Sequence, residues 1–221
     1  MKNNHTDITI VLDRSGSMDS VKEDTIGGFN TFLNEQKSAP GTATISLHQF
    51  DDRFETVIDA KDIKSAEPLT EKTFVPRGST ALYDAVGKAM KITGERLKNL
   101  AESDRAEKVV FVIITDGHEN ASKEYSHEKI KEMIEHQKSV YKWEIVFLGA
   151  EMDAQSIASD IGITVDNAMS NAGNSIGTQA MYASVSANLR AVRSGRKKDM
   201  SWTANDKEAQ IKAGLNPNLN K

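Results

Sequence analysis

Short apolar runs alternate with longer amphipathic stretches along most of the chain, and this alternation limits the fold more than any other feature. A chain patterned this way builds a mostly parallel sheet with helices on both faces, because strands buried on two sides read as continuous apolar runs. Ile8 to Leu12 reads as the first such strand. Val21, Thr25, Phe29, Phe32 and Gln36 then recur at helical spacing and stop near Pro40-Gly41. Thr44 to Phe50 alternates with period two, Asp51-Asp52 supplies turn residues and Phe54 to Ile58 returns, which predicts a hairpin and one antiparallel edge strand.

The second half repeats the pattern. Leu82, Val86, Ala89, Thr93, Leu97 and Leu100 form a helical stripe ahead of Val109 to Ile114, a β-branched run that reads as the central strand. A helix through Ile130, Met133, Ile134, Gln137 and Val140 leads to a strand at Glu144 to Leu148. A short helix near 154–160 leads to an expected strand at Ile163 to Val165, and Met181, Val185, Leu189 and Val192 mark a last helix. The expected fold is therefore α/β, Rossmann-like and doubly wound. Residues 1–195 form the domain, and 196–221 form a polar tail, mobile or loosely docked.

Composition excludes several function classes. There is no cysteine among the 221 residues, so disulfides, thiolate metal sites and a cysteine nucleophile are out. The longest apolar run is far short of the roughly 20 residues of a membrane helix, and no leader-like segment precedes the first strand; no membrane partner and a cytoplasmic location are expected. The net charge of −4 does not favour general capture of nucleic acid, and no nucleic-acid partner is expected. From Arg190 onward eight Lys or Arg stand against three Asp or Glu, leaving −9 on the rest. Cations at a helix C-terminus explain that bias without a polyanion.

In open α/β sheets ligands gather beyond the carboxyl ends of the strands. The first strand exits into Asp13-Arg14-Ser15-Gly16-Ser17, with oxygen side chains at alternate positions. The fourth exits into Thr115-Asp116-Gly117, and Gly78-Ser79-Thr80 places another hydroxyl before a helix. An all-oxygen set of this kind suits a hard divalent cation, Mg²⁺ or Mn²⁺. The competing reading is a set of helix caps and turns built by the same residues. No phosphate-binding glycine motif or nucleophile elbow occurs, and His48, His127 and His136 lack zinc-type spacing and are expected on solvated faces.

Three segments, ITIVLDRSGSM from Ile8, RGSTALYDAVG from Arg77 and VIITDGHEN from Val112, resemble the von Willebrand factor type A domain family with its metal-ion-dependent adhesion site. The resemblance spans about residues 6–166. It implies that Asp13, Ser15 and Ser17 form the first metal loop, Thr80 the second and Asp116 the third. It further implies a protein-binding module that captures a partner's Asp or Glu side chain through Mg²⁺. Arg14, Arg77, His118, Glu119 and Asn120 stand in the same loops and are expected at the rim, either as partner contacts or simply as exposed loop residues. The alternative is Mg²⁺-dependent phosphoester hydrolysis or phosphotransfer through Asp13, disfavoured because Ser15 stands where a second carboxylate would be expected.

Overall fold

The computed structural model describes residues 1–220, so Lys221, the last residue of the expected tail, lies outside the described residues. Six strands form one sheet: β1 (Lys2–Asp13), β2 (Thr42–Phe50), β3 (Phe54–Asp62), β4 (Ala106–Thr115), β5 (Glu144–Ala150) and β6 (Ala168–Asn171). Their order is β3-β2-β1-β4-β5-β6, with every pair parallel except β2 with β3. The expected fold class and antiparallel edge are present. The chain runs outward on one side of β1 and then crosses to β4 on the other, so the strand order reverses between β1 and β4.

Six α-helices cover the sheet: α1 (Lys22–Lys37), α2 (Leu82–Asn99), α3 (His127–Tyr141), α4 (Ala154–Asp160), α5 (Ser175–Arg193) and α6 (Ala204–Lys212). Strand alternation sorts the core into two layers. Ile8, Ile10, Leu12, Val110 and Val112 face Phe29, Phe32 and Leu33 of α1 and Met181, Val185 and Leu189 of α5. Val11, Phe111, Ile113 and Phe147 face Val86 and Met90 of α2, Ile130 and Ile134 of α3 and Ala158 of α4. Helices α1 and α5 approach closely, and a Cβ on Gly28 would lie 2.3 Å from the Tyr182 ring.

Three expectations need correction. Ile163 to Val165 is not a strand; Ile163 is buried in the α4 layer, a 3₁₀ turn follows at Val165–Asn167, and the last strand is β6. Residues 196–220 are not a mobile tail. They carry α6, whose Thr203 and Asp206 form a capping box, and bury Met200, Trp202, Ala213 and Leu215. Along the β6 edge, Asn220 Oδ1 accepts from Ser170 N (2.8 Å), Asn220 Nδ2 donates to Ser170 O (2.8 Å) and Gln210 Oε1 accepts from Ala172 N (3.1 Å). Side-chain amides thus stand in for a seventh strand.

His48 is the third. It is fully buried rather than solvated: Nδ1 pairs with Thr56 Oγ1 at 2.9 Å, the ring stacks on Phe54, and burial pushes the imidazole down to about 4. In the basic stretch, Arg193 is also buried, donating to Gln36 O at 2.7 Å instead of capping its own helix from the surface.

Candidate metal centre

Parallel register brings the first and third predicted loops together. Leu12 pairs with Ile114, so Asp13 ends β1 beside Thr115 at the end of β4. Asp13 is fully buried; its Oδ1 accepts from Ser15 N at 2.7 Å and its Oδ2 from Thr115 Oγ1 at 2.6 Å. Ser15 leaves the strand in an extended conformation and a 3₁₀ turn begins at Gly16, which swings Ser17 back toward the rim. Ser17 Oγ donates to Asp116 Oδ1 at 2.7 Å, and Ser15 Oγ lies 3.1 Å from Ser17 Oγ and 3.4 Å from Asp116 Oδ1.

Thr80 arrives from a separate loop that is pinned from both sides. Its N–H donates to Asn120 Oδ1 (3.0 Å), Asn120 N–H donates to Thr80 O (3.1 Å), and Ala81 N–H donates to Asp51 O (2.9 Å). The buried Thr80 hydroxyl sits over Gly117, where a Cβ would meet it at 2.6 Å. Gly117 is therefore required for close approach rather than only for a tight turn. The structure gathers Asp13, Ser15, Ser17 and Asp116 into one hydrogen-bonded group, with Thr80 against the residue that follows Asp116.

The electrostatics are those of a cation site. The Asp13 carboxyl is raised to about 6, chiefly by burial and in smaller part by the Asp116 charge, against the pull of its Thr115 and Ser15 hydrogen bonds. Burial also raises Asp116. Among the described residues no Lys or Arg pairs with either carboxylate. Two carboxylates with converging hydroxyls, and no nitrogen or sulfur donor, fit a hard divalent ion.

The expected rim divides. Arg77 and His118 are exposed. Arg14 is not a rim group: it turns inward, Nε to Asp51 Oδ2 at 3.1 Å and Nη1 to Glu55 Oε2 at 2.6 Å. Glu119 is turned to the scaffold, accepting from the N–H groups of Tyr83 (2.9 Å), Ala121 (3.0 Å) and Ser122 (2.8 Å), whereas Asn120 is exposed at the rim and also holds Thr80 through its Oδ1. Sequence reading missed Thr115, which buttresses Asp13, and Asp51, which accepts from Arg14 and from Arg77 Nε (2.8 Å) and ties the first two loops together. It also missed Asp84, which accepts from the N–H groups of Lys123, Glu124 and Tyr125, each at 2.9 Å. Thr115 could have been found from its register opposite Asp13; Asp51 and Asp84 carry no local signal.

An all-oxygen rim at the strand-order reversal of a doubly wound sheet defines a class of α/β domain built to hold a divalent cation. This chain belongs to the von Willebrand factor type A domain family, matched over residues 7–192. Domains of this family that carry the metal-dependent adhesion site are protein-interaction modules, in general not enzymes. No curated protein sequence matches the chain.

Among solved structures, the pilus adhesin SpaC from Lactobacillus rhamnosus GG is similar in fold, with TM-score 0.64 and 14% identity over 86% of this chain and 31% of that one. A D319A mutant of the PilB minor pilin from Streptococcus sanguinis gives TM-score 0.63 and 12% identity over 87% and 63%. Proximal thread matrix protein 1 from the mussel byssus gives 0.56 and 17% over 84% and 46%, and one structure of it has a zinc-occupied MIDAS motif. The chain thus spans less than two thirds of these proteins, and the likeness is one of fold.

Proposed function

We propose that this chain is a protein-binding module that depends on a divalent cation, Mg²⁺ or Mn²⁺, and recognises an Asp or Glu side chain of its partner. The observation that supports the reading is the meeting of Ser15, Ser17 and Asp116 beside the buried Asp13 carboxyl. Asp13 and Asp116 would supply charge to the ion, and Ser15, Ser17 and Thr80 neutral oxygens. A bound divalent ion supplies an electrophilic position that an external carboxylate can fill. Arg77 and His118 stand at the surface nearby in sequence to the metal loops, where they can add charge recognition.

Asp13 is a poor candidate for phosphoryl transfer. Both of its oxygens already accept short hydrogen bonds, and the side chain is fully buried, so an attacking role would dismantle the support of the first loop. Calorimetric titration with Mg²⁺ and Mn²⁺, followed by affinity capture with and without EDTA, tests the reading. Asp13→Ala is expected to lose metal binding while staying folded, and Thr80→Ala to lower partner affinity more than metal affinity. Capture that persists in EDTA, or Mg²⁺-dependent turnover of p-nitrophenyl phosphate, would overturn it.

A further inference from the structure

At the amino ends of β4 and β5, on the sheet edge opposite the metal loops, α2 and α3 part around a cavity of about 790 Å³. That volume lies within the range of small-molecule sites, roughly 300–1,000 Å³. Met90, Leu97, Val109, Met133 and Trp143 give it an apolar lining that reaches down to the sheet layer. Val140 and Tyr141, also in the lining, stay 55% and 59% exposed.

Gly94 is the second observation. It sits inside α2, where glycine weakens a helix relative to alanine and needs a reason. Gly87 in the same helix has one, since a Cβ there would lie 2.5 Å from the Tyr125 ring. At Gly94 the nearest atom to an added Cβ is Gln137 Nε2 at 3.7 Å, so no neighbour demands the small residue. Gly94 lines the cavity, so a large side chain here would take up part of the open volume.

Charge indicates the ligand. The lining holds Lys91, Lys98, Arg105 and Lys142 against Glu95, Glu102 and Glu107, while Lys129 is paired with Glu132 at 2.9 Å; this leaves one cation in excess on a chain of net −4. Arg105 donates to the carbonyls of Leu100 and Lys98, and Lys142 to that of Ser139, so hydrogen bonding orients these two groups without neutralising them. We infer that the cavity binds a small amphipathic carboxylate, its aliphatic or aromatic body against the methionines and Trp143 and its acid head among these cations. The two methionines allow the floor to adapt to the body's shape. Because the cavity and the metal loops lie at opposite ends of the strands, this site does not depend on the proposed partner capture.

Titration calorimetry with sodium decanoate in EDTA, with 1-decanol as the neutral counterpart, tests the inference on the full chain. Decanoate is expected to bind saturably at one site per chain, about tenfold more tightly than decanol. Gly94→Leu should fill the cavity and weaken decanoate about tenfold or more, with Mg²⁺ titration unchanged and no drop in melting temperature, since leucine favours the helix. The pair Lys91→Glu and Lys98→Glu should weaken decanoate but not decanol. The inference fails if decanoate does not saturate, if Gly94→Leu binds it as well as the parent, or if decanol binds equally well. It also fails if light scattering shows a dimer that decanoate does not dissociate, which would assign the groove to a second copy of the chain.

Discussion

Asp13→Asn is expected to make the metal-free protein more stable. The buried carboxyl titrates at about 6 in the fold against an ordinary value of 3.8. Between those values the folded chain holds a proton that the unfolded chain has lost, so stability falls as pH rises through the window. Above about pH 6 the whole penalty is present, about 3 kcal/mol for a shift of this size. Asparagine removes the charge and keeps a carbonyl for Ser15 N–H, while Thr115 can turn its hydroxyl to Gly117 O at 3.0 Å. Allowing for the weaker Thr115 contact, the net gain at pH 8 is about 2 kcal/mol, or about 4–8 °C in melting temperature. Near pH 4.5 only about a third of the penalty remains, so the gain should shrink accordingly. Urea unfolding in EDTA at both pH values measures it. Saturating Mg²⁺ should reverse the order, because only the parent gains stability from the bound ion. An asparagine variant less stable than the parent at pH 8 in EDTA would refute the account of Asp13 as a buried charge awaiting a cation.

Gly117→Ala puts a methyl 2.6 Å from Thr80 Oγ1, so calorimetry should show weakened metal binding with little change in the thermal melt; equal metal affinity would place Thr80 outside the site. Trp202→Ala should cost about 3 kcal/mol or more by urea unfolding, because the ring is buried in the core shared with α1 and α5, while Mg²⁺ affinity stays the same. His48 is held neutral, down to about 4 from 6.5, so its contribution is present above pH 6.5 and is lost as pH falls toward 4. The stability difference between the parent and His48→Phe should therefore move in favour of the variant by up to about 3 kcal/mol across that range.

The order of elements and the metal loops were legible because both are local signals. A β-branched run such as Val109 to Ile114 can only be a buried strand beside helices, and the D-x-S-x-S and T-D-G segments sit directly at strand exits. What escaped depends on pairings distant in sequence. Arg14 looks like a rim residue until β2 brings Asp51 beneath it, and Glu119 looks like a partner contact until its carboxylate is seen to accept from Tyr83, Ala121 and Ser122. Ile163 to Val165 has the composition of a strand, yet the pairing partners of β5 are Ala168 to Asn171, whose small and polar side chains carry little strand propensity. The region after 195 is polar in sequence because its few apolar residues, Met200, Trp202 and Leu215, are widely spaced and each fills a gap left by other elements.

The amide ladder along β6 has a consequence for biosynthesis. Asn220 and Gln210 occupy backbone groups of a strand translated some fifty residues earlier in one case and almost forty in the other. Until that stretch emerges from the ribosome, the nascent sheet presents an open edge at β6, a template for pairing with a neighbouring chain. A premature stop near residue 200 would thus yield a protein whose metal loops are complete but whose fate is set by self-association. Asn220 and Gln210 thus complete the hydrogen bonding of the sheet only after every other element has been made.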